Sequence, residues 1–389
     1  MPISIRNFLL ISSTLILFCC STVSAAEPIK LGGTLGLTGK YAPMSEMVSL
    51  GLQLWTKKTN AKGGILGRPV ELIVYDDTSS PEVAKKLYER LILEDKVDLV
   101  FGPYSSVITT EAVKATEKYG YSILASGATS DRLWQQGYTH LFGVYIPASR
   151  YSFGFLRLIF RNGFKRVAIV SADDMFSVTV AEGAEKWAKR LGLTVTLMEK
   201  FKKGTTDLDD LAKRIRDSEA EAIVVGGHFN ESVDVRRALA NIDWYPGAYF
   251  ATLGPALQKY YDILQDKAEH TFTLSNWEEK GVLFPGSQEF ASDFEKAYGK
   301  KPSYQATAGY ASGQILEAAI LKAGGLDRQK VRDALASLDI LTVLGRYGVD
   351  STGQQIRHFG LVTQWQNGNL EVVGPVDIKT VKSVPPVFN

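Results

Sequence analysis

From Ile29 to Leu253 the chain alternates short β-rich runs with helix-period segments, and it does so twice. That rhythm selects parallel sheets with crossover helices over an all-β or all-α fold. In the first stretch, strands are predicted at Ile29–Leu37, Val70–Asp76, Val97–Gly102 and Tyr121–Ser126. Helices are predicted between them near Met44–Thr59, Pro81–Glu94 and Thr109–Lys118. In the second, the strands are Arg166–Ala172, Thr194–Lys200, Ala220–Gly226 and Ala248–Leu253, interleaved with helices near Val178–Leu191, Leu208–Asp217 and Ser232–Ala240. Val97-Asp98-Leu99-Val100-Phe101 and Ala222-Ile223-Val224-Val225 are nearly unbroken apolar runs, as expected of strands covered on both faces. The fold class that follows is α/β, with two doubly wound lobes in succession.

After Asn276 the sequence becomes helical, at Ser287–Tyr298, Tyr304–Ala323 and Gln329–Ala336. Strands are then expected at Thr342–Tyr347 and at Phe359–Trp365, the latter turning through Asn367-Gly368 into Leu370–Val373. The late helices are expected to return and complete the first lobe. The division that results is 27–146 with 277–356 for the first lobe and 147–276 with 357–389 for the second.

Residues 1–26 read as an export signal: Arg6 near the start, an apolar run from Phe8 to Cys20, then small residues up to Ala25 and Ala26. The run is shorter than the roughly 20 residues that span a bilayer. Both cysteines, Cys19 and Cys20, lie inside this leader, so cleavage near Ala25 leaves a chain without disulfides. Lipidation at Cys19 or Cys20 is the competing fate, disfavoured by the bulky residues before each. Basic and acidic residues are intermixed and nearly balanced, 44 against 42, which excludes the basic footprint of a nucleic-acid binder.

Catalytic signatures are missing from the sequence. It contains no Gly-x-Ser-x-Gly elbow, and His140, His228, His270 and His358 are too scattered to form a local metal motif. Gly36-Leu37-Thr38-Gly39-Lys40-Tyr41 fails as a phosphate loop, with Thr34 in place of the first glycine and Tyr41 in place of the metal-binding hydroxyl. Asp76-Asp77 reads as a turn leading into a capped helix with Pro81 just inside it. No metal, cofactor or covalent chemistry is called for.

Two neighbouring strand ends carry the same device. Ser105 and Ser106 follow the strand ending at Gly102, and Gly127, Ala128 and Thr129 follow the next, before a helix expected near Asp131. Hydroxyls and free helix-start amides at such a place suit a carboxylate. Each residue also suits simple helix capping, and both readings stand at this level.

Ile29 to Gly39, the run Asn60 to Leu72, Tyr75-Asp76-Asp77, Gly102-Pro103-Tyr104-Ser105-Ser106 and Ala125-Ser126-Gly127-Ala128-Thr129 together resemble the leucine/isoleucine/valine-binding family of periplasmic proteins. The resemblance spans essentially the whole chain after the leader. It implies a type I periplasmic-binding fold, with two lobes joined by three hinge segments and closing on a small ligand. It also implies a periplasmic location, a monomer, and delivery of the ligand to the permease subunits of an ABC importer. A sensing module for a membrane signalling partner is the alternative role.

By family position, Tyr41 and Tyr104 line the pocket from the first lobe, with Phe176, His228 and Phe229 approaching from the second. One departure stands out. Amino-acid binders of the family carry an acid just after the strand matching Ala248–Leu253, whereas this chain reads Leu253-Gly254-Pro255-Ala256-Leu257. An α-amino acid held with help from Glu231 or Asp234, and an amine-free aromatic or aliphatic acid, are both open.

Overall fold

The computed structural model describes residues 26–281 and 284–375. The predicted leader up to Ala25, with both cysteines, lies outside the described residues, as does 376–389 of the expected second lobe.

The first sheet is built from β1 (Ile29–Leu35), β2 (Val70–Asp76), β3 (Leu99–Phe101), β4 (Ile123–Ala125) and β5 (Leu141–Gly143). These run parallel in the order β2-β1-β3-β4-β5. Helices α1 (Ala42–Ala61), α2 (Pro81–Leu93) and α3 (Ser106–Lys118) make the crossovers. In such an order the winding of successive strands changes direction between β1 and β3, and the carboxyl ends of the strands there border a crevice.

The second lobe repeats the plan. It contains α4 (Phe153–Arg161), β6 (Arg166–Ala172), α5 (Met175–Leu191), β7 (Thr194–Phe201), α6 (Asp209–Asp217), β8 (Ala222–Gly226), α7 (Phe229–Asn241), β9 (Ala248–Ala251), α8 (Gln258–Leu264) and β10 (Thr271–Ser275). The chain continues through α9 (Ser287–Tyr298), α10 (Tyr304–Ala323), α11 (Arg328–Ser337), the two-residue strands β11 (Ile340–Leu341) and β12 (Arg346–Tyr347), then β13 (Leu361–Gln366) and β14 (Asn369–Gly374). The second sheet has the order β14-β13-β10-β9-β8-β6-β7, antiparallel only where β13 meets β10 and β14. Asn367 and Gly368 both adopt positive φ between β13 and β14, as a tight hairpin requires.

Helix α10 packs along α1 because glycines let their backbones approach. A Cβ on Gly51 would fall 1.9 Å from the Ala306 carbonyl oxygen, and one on Gly309 would fall 2.2 Å from that of Val48. The chain passes between the sheets three times, after β5, after β10 and after β12. Gly143 N donates to Gly353 O at 2.8 Å and Gln355 Nε2 to Val144 O at 3.2 Å, tying the first crossing to the third.

Two expected elements differ. Thr342–Tyr347 is not one strand, because the backbones of Thr342 and Gly345 bond to each other and fold it into the β11–β12 hairpin. The helix expected near Asp131 is a single 3₁₀ turn, Asp131–Leu133. The Asp131 carboxylate accepts the backbone N–H and hydroxyl of Ser149. Strands β5 and β10 and helices α4 and α8 are absent from the sequence reading; β5 has only 3 residues, too few to show a period.

Candidate functional site

Most segments that border the space between the lobes follow the carboxyl end of a parallel strand; the start of α10, which follows α9, is the exception. Ser105 caps α3 through its hydroxyl, which accepts Ile108 N at 3.4 Å, and its φ of +82° is a strained value for a residue with a side chain. Its own N–H donates to Gly127 O at 2.9 Å, joining the ends of β3 and β4. A Cβ on Gly127 would lie 2.9 Å from Tyr104 Cα, so only glycine permits this approach. The Ser106 hydroxyl accepts Thr129 N at 3.3 Å and Ser130 N at 3.0 Å, drawing the second strand-end loop against the first.

These residues open onto a narrow cavity of about 10 Å³, room for roughly one water, lined by Tyr104, Ser105, Ser106, Gly127, Thr129, Tyr145, Tyr151, Phe176, His228, Leu253 and Tyr304. Its walls are largely aromatic. Tyr151 meets Phe176 edge-on with centroids 5.5 Å apart, Phe176 lies 5.1 Å from His228, and Tyr145 meets Tyr304 edge-on at 5.6 Å. A wider groove at the cleft mouth, bordered by Pro43, Met47, Lys259, Glu278 and Lys300, mixes both charges and is open to solvent. The smaller cavity is where the polar groups converge.

Burial pushes the phenols of Tyr104, Tyr145 and Tyr304 well above their ordinary value and that of Tyr151 up to about 12, so all four remain neutral. Burial, and then the nearby Lys203 ammonium, push the His228 imidazole down. The Tyr145 and Tyr304 hydroxyls and Nδ1 of His228 are buried without a hydrogen-bond partner among the described residues, while His228 Nε2 faces Asp174 Oδ1 at 3.4 Å. Groups so placed cost stability unless something else pairs with them.

Behind this wall sits an ion pair that the sequence did not disclose. Asp174 caps α5, with Oδ1 accepting Phe176 N and Ser177 N at 3.1 and 3.3 Å. Its Oδ2 accepts Ser177 Oγ at 2.7 Å and Lys203 Nζ at 3.0 Å. Burial by itself would raise this carboxyl, but His228, Lys203 and the Ser177 hydroxyl together hold it well below the usual range.

Of the residues singled out from sequence, Tyr104, Ser105, Ser106, Gly127, Thr129, Phe176 and His228 meet at the cavity. Tyr41 stands one layer back, its ring 5.6 Å from Tyr104 and 5.0 Å from His228. Ala128 packs into the core beside α3, and Phe229 turns away under the Lys259 ammonium. Neither lines the cavity. Glu231 is occupied with His228 N at 3.1 Å, and Asp234 faces Arg237 at 3.7 Å. Tyr145, Tyr151, Leu253 and Tyr304 were missed as cavity residues; the one available signal was that Tyr304 opens a predicted helix.

The Asp76-Asp77 pair is a structural turn. Asp77 is buried, accepting Thr34 Oγ1 at 2.8 Å and Ser79 N at 2.9 Å, while Ser80 caps α2. Among the described residues no group of three or more His, Cys, Asp and Glu is placed to hold a metal ion. No described helix is long and apolar enough to cross a membrane.

The pattern of the family described as "Periplasmic binding protein" matches residues 28–369. Leu/Ile/Val-binding protein homolog 7 of Brucella suis biovar 1 (strain 1330) is 25% identical over 374 residues, covering 90% of this chain and 92% of its own. Among solved structures, the branched-chain amino acid transporter substrate-binding protein LivJ of Streptococcus pneumoniae, in complex with isoleucine, superposes with a TM-score of 0.81 at 22% identity, covering 92% of this chain and all of its own. An ABC-transporter solute-binding protein of R. palustris in complex with benzoate superposes with a TM-score of 0.78 at 18% identity, covering 91% of this chain and 98% of its own. With two parallel-sheet lobes facing each other across a strand-end cavity and a family match over most of its length, the chain belongs to the periplasmic binding protein family and has the type I fold of its leucine/isoleucine/valine-binding members.

Proposed function

We propose that this protein is exported to the periplasm, captures one small carboxylate-bearing ligand between its lobes and hands it to the permease subunits of an ABC importer. The bodies that close are 27–146 with 277–356 and 147–276 with 357–389. The reading rests above all on the convergence of the Ser105–Ser106 and Gly127–Thr129 strand ends on one aromatic-walled cavity. Helix-start amides and hydroxyls there stabilise an anion, while the rings take up an apolar body. The solved relatives support it, one holding isoleucine and another benzoate. Binding energy is realised in the closed state, so the ligand acts by shifting the lobes toward closure.

The test is a thermal-shift screen of purified protein against carboxylic acids and their primary amides, which match in shape but not in charge. A carboxylate well above its Kd should raise stability by about 2 to 4 kcal/mol, and its amide should not. Stabilisation by the amides with none by the acids would sink the reading.

A further inference from the structure

Three observations bear on what the ligand carries besides its carboxylate. First, the cavity wall has no Asp, Glu, Lys or Arg side chain; it consists of aromatic, hydroxyl, glycine and leucine groups around a single imidazole. Second, the acids behind the wall are engaged: Asp174 directs its oxygens to the start of α5, to Lys203 and to His228 Nε2, and Glu231 accepts His228 N at 3.1 Å. Third, Leu253 is buried in the wall from the centre of a strained turn. Its φ and ψ are 60° and −57°, and Gly254 N donates to Thr252 O at 2.7 Å, closing a γ-turn of the rare hand. Strain kept at a ligand cavity points to a role for the side chain it displays, and here that side chain is apolar.

An ammonium buried against this wall would have no carboxylate to neutralise it, and uncompensated burial of a charge is strongly unfavourable. The unpartnered Tyr145 and Tyr304 hydroxyls and Nδ1 of His228 offer neutral hydrogen bonds instead. We infer that the ligand is a carboxylic acid without an ammonium group, and that Leu253 is the specificity-determining residue that turns α-amino acids away. This rests on the carboxylate reading above and narrows it.

The experiment measures affinities by calorimetry for matched pairs: 4-methylpentanoate against leucine, 3-phenylpropanoate against phenylalanine, and phenylacetate against phenylglycine. The wild-type protein should favour the amine-free member of at least one pair by about tenfold or more. Leu253→Asp, which places a carboxylate on the wall, should move that pair's preference by about tenfold toward the amino acid, and Leu253→Asn should not. Tighter wild-type binding of leucine, phenylalanine or phenylglycine overturns the inference while leaving the carboxylate reading intact. Binding of no member of any pair overturns both. A folded Leu253→Asp protein with unchanged preference removes the role given to Leu253.

Discussion

The Lys203 ammonium, on the loop after β7, donates to the phenolic oxygen of Tyr41 at 3.1 Å, bridging from the second lobe to the first. The same nitrogen lies 5.1 Å from the centroid of the Tyr41 ring and 3.0 Å from Asp174 Oδ2. One cation therefore both neutralises a buried carboxylate within its own lobe and reaches a partner that it meets only when the lobes are together. The two roles separate by mutation. Lys203→Met leaves Asp174 buried and unneutralised and should cost about 3 kcal/mol in urea unfolding. Tyr41→Phe removes the bridge together with the phenol's contact to Ser105 and should weaken ligand binding about fivefold, a loss of about 1 kcal/mol, with little change in unfolding. Equal unfolding curves for Lys203→Met and wild type would refute the first part, and unaltered affinity in Tyr41→Phe the second.

A second bridge joins the hydroxyls of Ser130 and Thr179, 2.6 Å apart, between the loop after β4 and helix α5. If it forms on closure, Ser130→Ala and Thr179→Val should be coupled in ligand affinity by about 1 kcal/mol in a double-mutant cycle. Strictly additive effects would show that the bridge does not report closure.

Gly309 has no room for a side chain, since its Cβ would sit 2.2 Å from the Val48 carbonyl oxygen. Backbone cannot yield as a flexible side chain can, so Gly309→Ala must push α10 away from α1. The expected loss is about 3 kcal/mol in equilibrium denaturation. A variant within about 0.5 kcal/mol of wild type would mean that the helices slide without penalty.

His358 is buried on the third crossing between the sheets, and burial lowers its imidazole from 6.5 to about 4. The folded protein thus takes up this proton less readily than the unfolded chain. The contribution to stability is fully present above pH 6.5 and is lost as pH falls toward 4, by about 3 kcal/mol over that window. The stability difference between wild type and His358→Gln, measured from pH 8 to pH 4, should shrink on acidification by about that amount. A difference independent of pH would place the imidazole in solvent.

Much of the fold was legible because it is written in local periods. β2 and β6 begin and end at the residues expected, as do α9 and α10. Long runs with one buried face leave little freedom in register. The strand-end loop around Ser105 was also legible, because a hydroxyl-rich stretch between an apolar strand and a helix marks a helix start, whereas Thr129 precedes only a 3₁₀ turn. The short β5 and the β11–β12 hairpin escaped, since two or three residues carry no period and are held by partners distant in sequence or by a backbone turn.

The sequence alone established the alternation of strand and helix, the doubling into two lobes, and which strand ends carry hydroxyls, since these depend on neighbours a few residues apart. Only the tertiary structure decided that Tyr145, Tyr151, Leu253 and Tyr304 share one wall, that Ala128 and Phe229 stand off it, and that Lys203 is paired with Asp174. Those facts depend on sheet twist, on the three crossings between sheets and on the closeness of the lobes. They join residues as far apart in the chain as Tyr145 and Tyr304, at separations where no periodic pattern carries information about distance.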